Sequence, residues 1–471
     1  MNELDTFIVS DLHLSDSQIE DKKNPLWKKF KQKQFFFDND FSNFINKILQ
    51  TNSNKKELIL NGDIFDFDSV VNIPEDLSKY SIKKYELKSG LNTMEDKSLF
   101  KIKYILKEHE VWVQSIKKFI EHGHKVVFIL GNHDVELCWP KVQKAIIKSL
   151  DLDKKYIENI VFCEWYYISN KDTLIEHGHQ YDPYCMTIDP INPIINKNGK
   201  YKVRLPFGNL ATRFMINLMG LRNPYNESVY VGNFLDFLKF YIKYELKYQP
   251  LIFITWFSGA LKTLIYSIGE GFFPALKDPQ TLSYKLEDIS EKSNSTVSKT
   301  IQLKENHAHS AVRRPYKILK ELWLDRAFFL FIILFICWHI FITSALFAGL
   351  SLKWFLIPFL TSLGFFTYYA HGVSSDIQSN QELGKRKGII SCKICHVNRI
   401  VLGHTHKAEK SILKDNIEYF NSGTWSYYFK DIECSQKVSK QTFIWLKSEH
   451  NKREGFLCQW IPKDNNIKII K

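Results

Sequence analysis

The feature that most constrains this chain is a series of short apolar runs that each stop at Asp, Asn, Gly or His. They are TFIVSDLH (6–13), ELILNGD (57–63), KVVFILGNHD (125–134), TLIEHGH (173–179) and RIVLGHTH (399–406). Continuous apolar runs of this length, bounded by turn formers, read as strands buried on both faces. Between them lie stretches with helical spacing, such as NDFSNFINKILQ (39–50) and HEVWVQSIKKFIEHG (109–123). Alternating strands and helices predict an α/β or α+β core. IEYFNSGTWSYYF, QTFIWLK and FLCQWIP, after the last run, predict further strands. In sheet-based enzymes chemistry collects where strands end and loops begin. The residues that close these runs are therefore the candidate functional residues.

Asp11-Leu12-His13 closes the first run. In a strand, residues i and i+2 point to one side, so this carboxylate and imidazole are expected to share an ion. Gly62-Asp63, Gly131-Asn132-His133-Asp134 and Gly403-His404-Thr405-His406 close three others. Asp and Asn oxygens with neutral His nitrogens suit Mn, Zn or Fe. The pentapeptide IEHGH occurs twice, at 120–124 and 175–179. The first copy follows a helical pattern, so Gly123 ends that helix and His122 and His124 are structural. The second follows an extended stretch, which makes His177 a strand-end ligand.

Other metal signatures carry less. Cys392-x-x-Cys395-His396 has haem-attachment spacing, but MNELDTFIVSDLHL has neither a basic leader nor a long apolar run. No haem is expected. A zinc knuckle needs a second cysteine pair, and Cys434 and Cys458 are not spaced as one. His307 and His309, in NHAHS at the end of a polar stretch, are expected in a solvated loop. The formal charge of +13 predicts an anionic partner: a phosphate-bearing ligand, nucleic acid or a membrane face.

Between His179 and Arg399 the character changes. Residues 205–275 are aromatic and helical in pattern, and 287–306 are Ser/Lys-rich and read as a linker. Two apolar runs follow, 327–350 and 354–371, and Lys353 is the only Lys, Arg, Asp or Glu between 327 and 371. They reach the roughly 20 residues needed to cross a bilayer. Arg313, Arg314, Lys317 and Arg326 precede them, and Lys385, Arg386 and Lys387 follow. That is the positive-inside pattern, with both ends cytosolic. If residues 11–179 and 399–406 build one site, the chain crosses an even number of times between them. Residues 249–275, broken by Lys262 and Glu270, are expected as a core or interfacial helix instead of a third span.

As a set, D-x-H, GD, GNHD, H before Gly, and GHTH resemble the calcineurin-like metallophosphoesterase superfamily. The resemblance covers about residues 4–180 and 395–460. It implies two packed mixed β-sheets flanked by helices, a four-layer sandwich with a dinuclear site at the strand ends. It also implies that Asp11, His13, Asp63 and His406 bind one divalent ion. Asp63, Asn132, His177 and His404 would bind the other, with Asp63 bridging. A shared carboxylate and a bridging hydroxide offset the repulsion of two nearby cations, and the hydroxide attacks phosphorus in line. Asn132 and His133 would contact the phosphate. His133 is the expected general acid, with Asp134 fixing its tautomer. DLHL, GDIFD and the helical insertion are similar to the UDP-2,3-diacylglucosamine pyrophosphohydrolases. Arg204, Arg213 and Arg222 would then be available for phosphates. GNHD carries His133 where those enzymes have Arg.

The expected organisation is a core (1–180), a helical lid-like insertion (181–286), a polar linker and basic helix (287–326), a transmembrane hairpin (327–371) and the rest of the core (372–471). The expected function is a membrane-anchored phosphoesterase, catalytic domain in the cytoplasm, acting on a phosphate ester or pyrophosphate, with lipid-linked substrates included. The alternatives are a nuclease or protein phosphatase of the same superfamily, or a non-catalytic metal-binding membrane scaffold. The hairpin is required by neither the nuclease nor the phosphatase, so nucleic acid is not the expected partner.

Overall fold

The computed structural model describes residues 4–51, 54–197, 199–221, 239–272, 279–349, 353–372, 380–438, 440–449 and 452–470. Its strands are β1 Leu4–Val9, β2 Lys55–Asn61, β3 Lys125–Ile129, β4 Ile160–Cys163, β5 Tyr166–Ser169, β6 Thr173–Glu176, β7 Ile194–Lys197, β8 Lys200–Val203, β9 Arg399–Leu402, β10 Glu409–Ile412, β11 Glu418–Asn421, β12 Thr442–Glu449, β13 Lys452–Ile461 and β14 Asn466–Ile469. Two sheets result, β14-β13-β12-β1-β2-β3-β4 and β10-β11-β9-β6-β5, and β7 and β8 form a separate hairpin. β1, β2, β3 and β4 are parallel, as are β6, β9 and β11.

The continuous apolar runs are explained by what covers each face. Ile8, Ile59, Val127 and Ile129 point toward the second sheet, where they bury against Ile175, Val401 and Phe420. Phe7, Val9, Leu58, Leu60, Val126 and Phe128 alternate with them and face helices. Those helices are α1 Asp38–Leu49, α2 Glu95–Glu108, α3 Glu110–Glu121 and α4 Pro140–Leu150. Phe41, Phe44, Ile45 and Ile48 of α1 form an i, i+3, i+4, i+7 stripe that is buried there. Each such side chain contributes about 1.5–3 kcal/mol on burial.

The remaining helices used below are α5 Phe207–Phe214, α6 Ile252–Phe272, α7 Pro279–Lys292, α8 Val297–Glu305, α9 Leu324–Thr343, α10 Lys353–Gly372 and α11 Asn380–Cys395. α7, α8 and α11 cover the outer face of the second sheet, where Ile289, Leu303, Cys392 and Cys395 bury with Trp165 and Tyr166. The layers are thus helix, sheet, sheet, helix. Two expectations are corrected here. Residues 287–306 are not a linker, because their polar groups complete the edge strand β5. The Ser293 carbonyl accepts the Ile168 amide at 3.0 Å, and Asn294 Nδ2 donates to the Ile168 carbonyl at 2.9 Å. His307 is buried with its ring 5.7 Å from Trp165, while His309 is exposed.

Among the described residues two helices are long and apolar enough to cross a membrane, Ile252–Gly271 (mean hydropathy 1.3) and Leu324–Leu346 (2.4), and Leu356–Tyr369 is a shorter apolar one. α9 and α10 pack antiparallel, with Phe329 against Phe365, Phe366 and Tyr369, and Asp325 accepting a hydrogen bond from Tyr369 at 2.9 Å.

Candidate metal centre

The parallel strands β1, β2, β3, β6 and β9 all deliver their C-terminal ends to one edge of the two sheets. Asp11 and His13 follow β1, Asp63 follows β2, Asn132 and His133 follow β3, His177 follows β6, and His404 and His406 follow β9. The seven predicted ligands, distant in sequence, therefore meet at one edge.

Donor atoms of Asp11, His13 and His406 lie within 4.8 Å of one another, and so do those of Asp63, His177 and His404. A third set, His13, Asp63 and His133, joins the two. His406 Nε2 is 3.2 Å from both Asp11 Oδ1 and His13 Nε2. His177 Nδ1 donates to the Asn61 carbonyl at 2.8 Å, which leaves Nε2 facing Asp63 Oδ2 at 3.3 Å. Asp11 Oδ1, Asn132 Oδ1 and His177 Nε2 are buried and make no hydrogen bond of acceptable geometry. Leaving a buried polar atom unmade costs about 1–3 kcal/mol. Orphaned oxygens and an orphaned imidazole nitrogen within these donor groups are what divalent ions satisfy, so the donor set fits two such ions.

The backbone is bent to make this cluster. Asp11 (φ 54°), His13 (50°), Asp63 (50°), His404 (67°) and His406 (55°) are all left-handed. For non-glycine residues this costs on the order of 1 kcal/mol or more each, and it is retained where function requires it. It corrects the reason offered for Asp11 and His13. β1 ends at Val9, so a turn, and not the pleat of a strand, brings the pair together. The neighbouring glycines make room. A Cβ on Gly131 would overlap Asp63 Oδ1, one on Gly62 would overlap the His177 ring, and one on Gly403 would lie 2.8 Å from Asp11 Oδ2.

Electrostatics agree with a site built for cations. Burial pushes the Asp63 carboxyl up, but His177 and His133 outweigh it and hold it well below the carboxylate range. Asp11 is lowered likewise, burial being overcome by His177 and His406. Burial pulls the His13 imidazole down to about 4, the neutral form a ligand needs. These directions come from the protein's own charges, and divalent ions among the same atoms take the place of protons as the positive partner.

His133 Nδ1 lies 3.2 Å from Asp66 Oδ1 and 3.7 Å from Asp68 Oδ2. Burial lowers its pKa, but Asp66 and Asp63 raise it to about 10. Asp134 is not the orienting carboxylate. It accepts the amides of Gly131 (2.5 Å), Ile64 (2.8 Å) and Phe65 (3.4 Å), so it shapes the loops that carry Asp63 and Asn132. Asp66 was within the GDIFD motif, but sequence offers no way to choose between two carboxylates when the loop between them folds back.

A second carboxylate was missed. Asp182 Oδ2 is 3.1 Å from His404 Nε2, and its Oδ1 accepts the Tyr184 amide at 2.8 Å. A carboxylate behind a ligating imidazole fixes the ring and raises its basicity. Asp182→Asn is expected to weaken metal binding by about 10–100-fold, read by titration of the metal-free protein. Unchanged affinity would remove Asp182 from this role. Cys185 also lies in this group.

The three arginines divide. Arg213 is buried and committed: Nε pairs with Asp68, Nη1 donates to the Leu91 carbonyl at 2.7 Å, and Nη2 to Glu136 at 2.8 Å. It does not present its guanidinium to a phosphate. With Asn209, which donates to the Asn132 carbonyl at 2.6 Å, it ties α5 to the GNHD loop. Arg213→Ala takes from buried Asp68 its guanidinium partner, while Glu136 keeps Lys101 at 2.5 Å, and is expected to cost about 3–5 kcal/mol, measured by denaturant unfolding. A cost below about 1 kcal/mol, the range of an exposed pair, would refute that commitment. Arg204 is buried, and its charge answers to Glu270 and Asp189. Arg222 lies outside the described residues.

The structural histidines behave as expected: His122 pairs with the Lys118 carbonyl at 2.7 Å, and His124 accepts the Lys56 amide at 3.3 Å. Cys392 and Cys395 are buried thiols at the end of α11, both pushed up by burial, Cys395 to about 12. No curated protein matches the chain. The family model described as calcineurin-like phosphoesterase matches residues 5–203, and His404 and His406 join the strand-end cluster from outside that stretch.

Proposed function

We propose that the protein is a membrane-anchored phosphoesterase that uses two divalent ions, Mn, Zn or Fe, to hydrolyse a phosphate ester or pyrophosphate carried on a lipid. The observation that carries this reading is the pair of donor groups, Asp11/His13/His406 and Asp63/His177/His404, set side by side at the strand ends. Two ions held there supply an activated water and neutralise charge on the reacting phosphoryl group. Asp63, with Asp11 on one side and His177 on the other, sets the spacing between the groups. Asn132 Oδ1 joins the His177 side. His133 is 18% exposed, as open as the ligand candidate His406. Its Nδ1 is held by Asp66, which leaves Nε2 to hand a proton to the departing oxygen. Asp134 acts behind this pair by fixing the loop.

The lipid component is supported by Leu324–Leu346, where Phe331, Phe335, Ile336 and Trp338 are each more than half exposed, and by basic residues at the outer ends of the α9–α10 hairpin, the pattern that keeps both ends in the cytoplasm. The test is a panel of phosphomonoesters, phosphodiesters and lipid pyrophosphates, offered to the purified full chain in detergent with each metal. Hydrolysis of at least one class, lost with chelator and restored by metal, is expected. Two bound ions with turnover of none would convert the reading to a non-catalytic metal protein.

A further inference from the structure

Helix α6, Ile252–Phe272, turns mostly small and polar residues inward, with Ile252 and Leu264 among them, and mostly large apolar ones outward, with Lys262 among them. The face against the protein carries Gly259, Ala260, Thr263, Ser267 and Glu270, all buried. The opposite face exposes Phe253 (51%), Ile254 (64%), Phe257 (37%) and Ile265 (57%). A helix lying between a protein and water has the reverse pattern. Small residues at the packed face and large apolar ones outside are the sorting seen where the outer medium is lipid. The packing is close: a Cβ on Gly259 would sit 2.5 Å from the Phe214 carbonyl oxygen of α5.

Two further observations say what covers the outer face. First, it is continuous with α9, since Phe257 meets Phe328 edge-on at 5.9 Å. Second, the stretch leading into α6 exposes Lys243 and Lys247 beside Ile242 and Leu246. Lysines bordering apolar side chains suit anionic lipid headgroups above an acyl boundary.

Topology then fixes how α6 lies. β1–β6 precede it and β9–β14 follow it, yet both sets share the same two sheets. The chain must cross any bilayer an even number of times between them. The antiparallel α9–α10 hairpin uses two crossings, and α6 cannot add a third. We infer that α6 lies in the plane of the bilayer surface, its Phe253/Phe257 face in the acyl boundary and its Thr263/Ser267 face on the catalytic domain. This rests on the reading of α9–α10 as a membrane anchor. It places α5, and through Asn209 the GNHD loop, one helix layer from the lipid, about 8–10 Å. The substrate phosphate would then be met at headgroup height.

The test replaces Phe253, Phe257 or, as a reference in α9, Trp338 with trifluoromethyl-phenylalanine in the full chain. Each protein is placed in phosphatidylethanolamine/phosphatidylglycerol vesicles. Fluorine resonances are then broadened by nitroxides near the headgroup end of the acyl chain, by nitroxides near its terminal methyl, or by a water-soluble paramagnet. Retained metal content shows that each variant has folded. Phe253 and Phe257 labels broadened most by the headgroup-end nitroxide, and the Trp338 label by the deeper one, are the expected result. If Trp338 responds to lipid while Phe253 and Phe257 respond only to the aqueous reagent, the in-plane helix is wrong and the anchor stands. Deep broadening at Phe253 and Phe257 would mean a spanning α6 and overturn it. Protection from every reagent would mean that a second protein surface covers α6, again overturning it. No lipid response at any of the three positions removes both the helix and the anchor.

Discussion

Asp63→Ala is expected to abolish hydrolysis, with a fall of at least about a thousandfold, or about 4 kcal/mol of lost transition-state stabilisation, and to release both ions. The side chain touches both halves of the cluster: Oδ2 faces His177 at 3.3 Å, and Oδ1 accepts the His133 amide at 2.8 Å. It also shares a donor group with His13. The fold should survive, because Asp63 lies among Asp11 and Asp134, and removing its carboxylate relieves like-charge repulsion. Metal content by mass spectrometry, turnover and melting temperature separate these effects. Retention of two ions, with activity within about tenfold of the parent (about 1.4 kcal/mol), would end the assignment of Asp63 as the shared ligand.

Gly131→Ala is expected to come close to the same loss although it adds one methyl group. The Cβ would overlap the Asp63 carboxylate and press on its backbone nitrogen, so the ligand must move. No flexible side chain stands in the way to yield. Gly123→Ala is the matched control. Gly123 has φ 79° with nothing within 4 Å of a Cβ, so alanine there meets backbone strain alone, about 1 kcal/mol, and activity should stay at the parent level. Metal titration and turnover of the two variants give the comparison. Equal activity in both would show that the strand-end packing tolerates more than this geometry allows.

Much of the fold could be read from β-branched runs because both faces of the central strands are covered, which makes each run apolar throughout. The short strands at the edges could not. Glu409–Ile412 alternates exposed and half-buried positions, and Tyr166–Ser169, though buried throughout, is only four residues long. Residues 287–306 misled because Ser, Asn and Thr suit solvent and also suit an unpaired strand edge, and only neighbours decide between them. The seven proposed ligands could be singled out because each follows the end of a run. Their partners Asp66 and Asp182 could not, since a carboxylate behind an imidazole is defined by distance alone. Arg213 shows the opposite error: a cation placed by sequence near a phosphate site was already claimed by Asp68 and Glu136.

The division of each sheet between distant parts of the chain bears on how the protein matures. β1 pairs with β12, joining Thr6 to Leu446, and β6 pairs with β9, joining Thr173 to Arg399. When residues 1–203 have left the ribosome, five of the seven ligands exist but β1 lacks a neighbour on one side and β6 lacks β9. His404 and His406 arrive only after both greasy helices have been synthesised and have found their surroundings. A nascent or truncated chain thus exposes a half-built strand-end cluster, and the completion of the proposed metal pocket is tied to the last strands made.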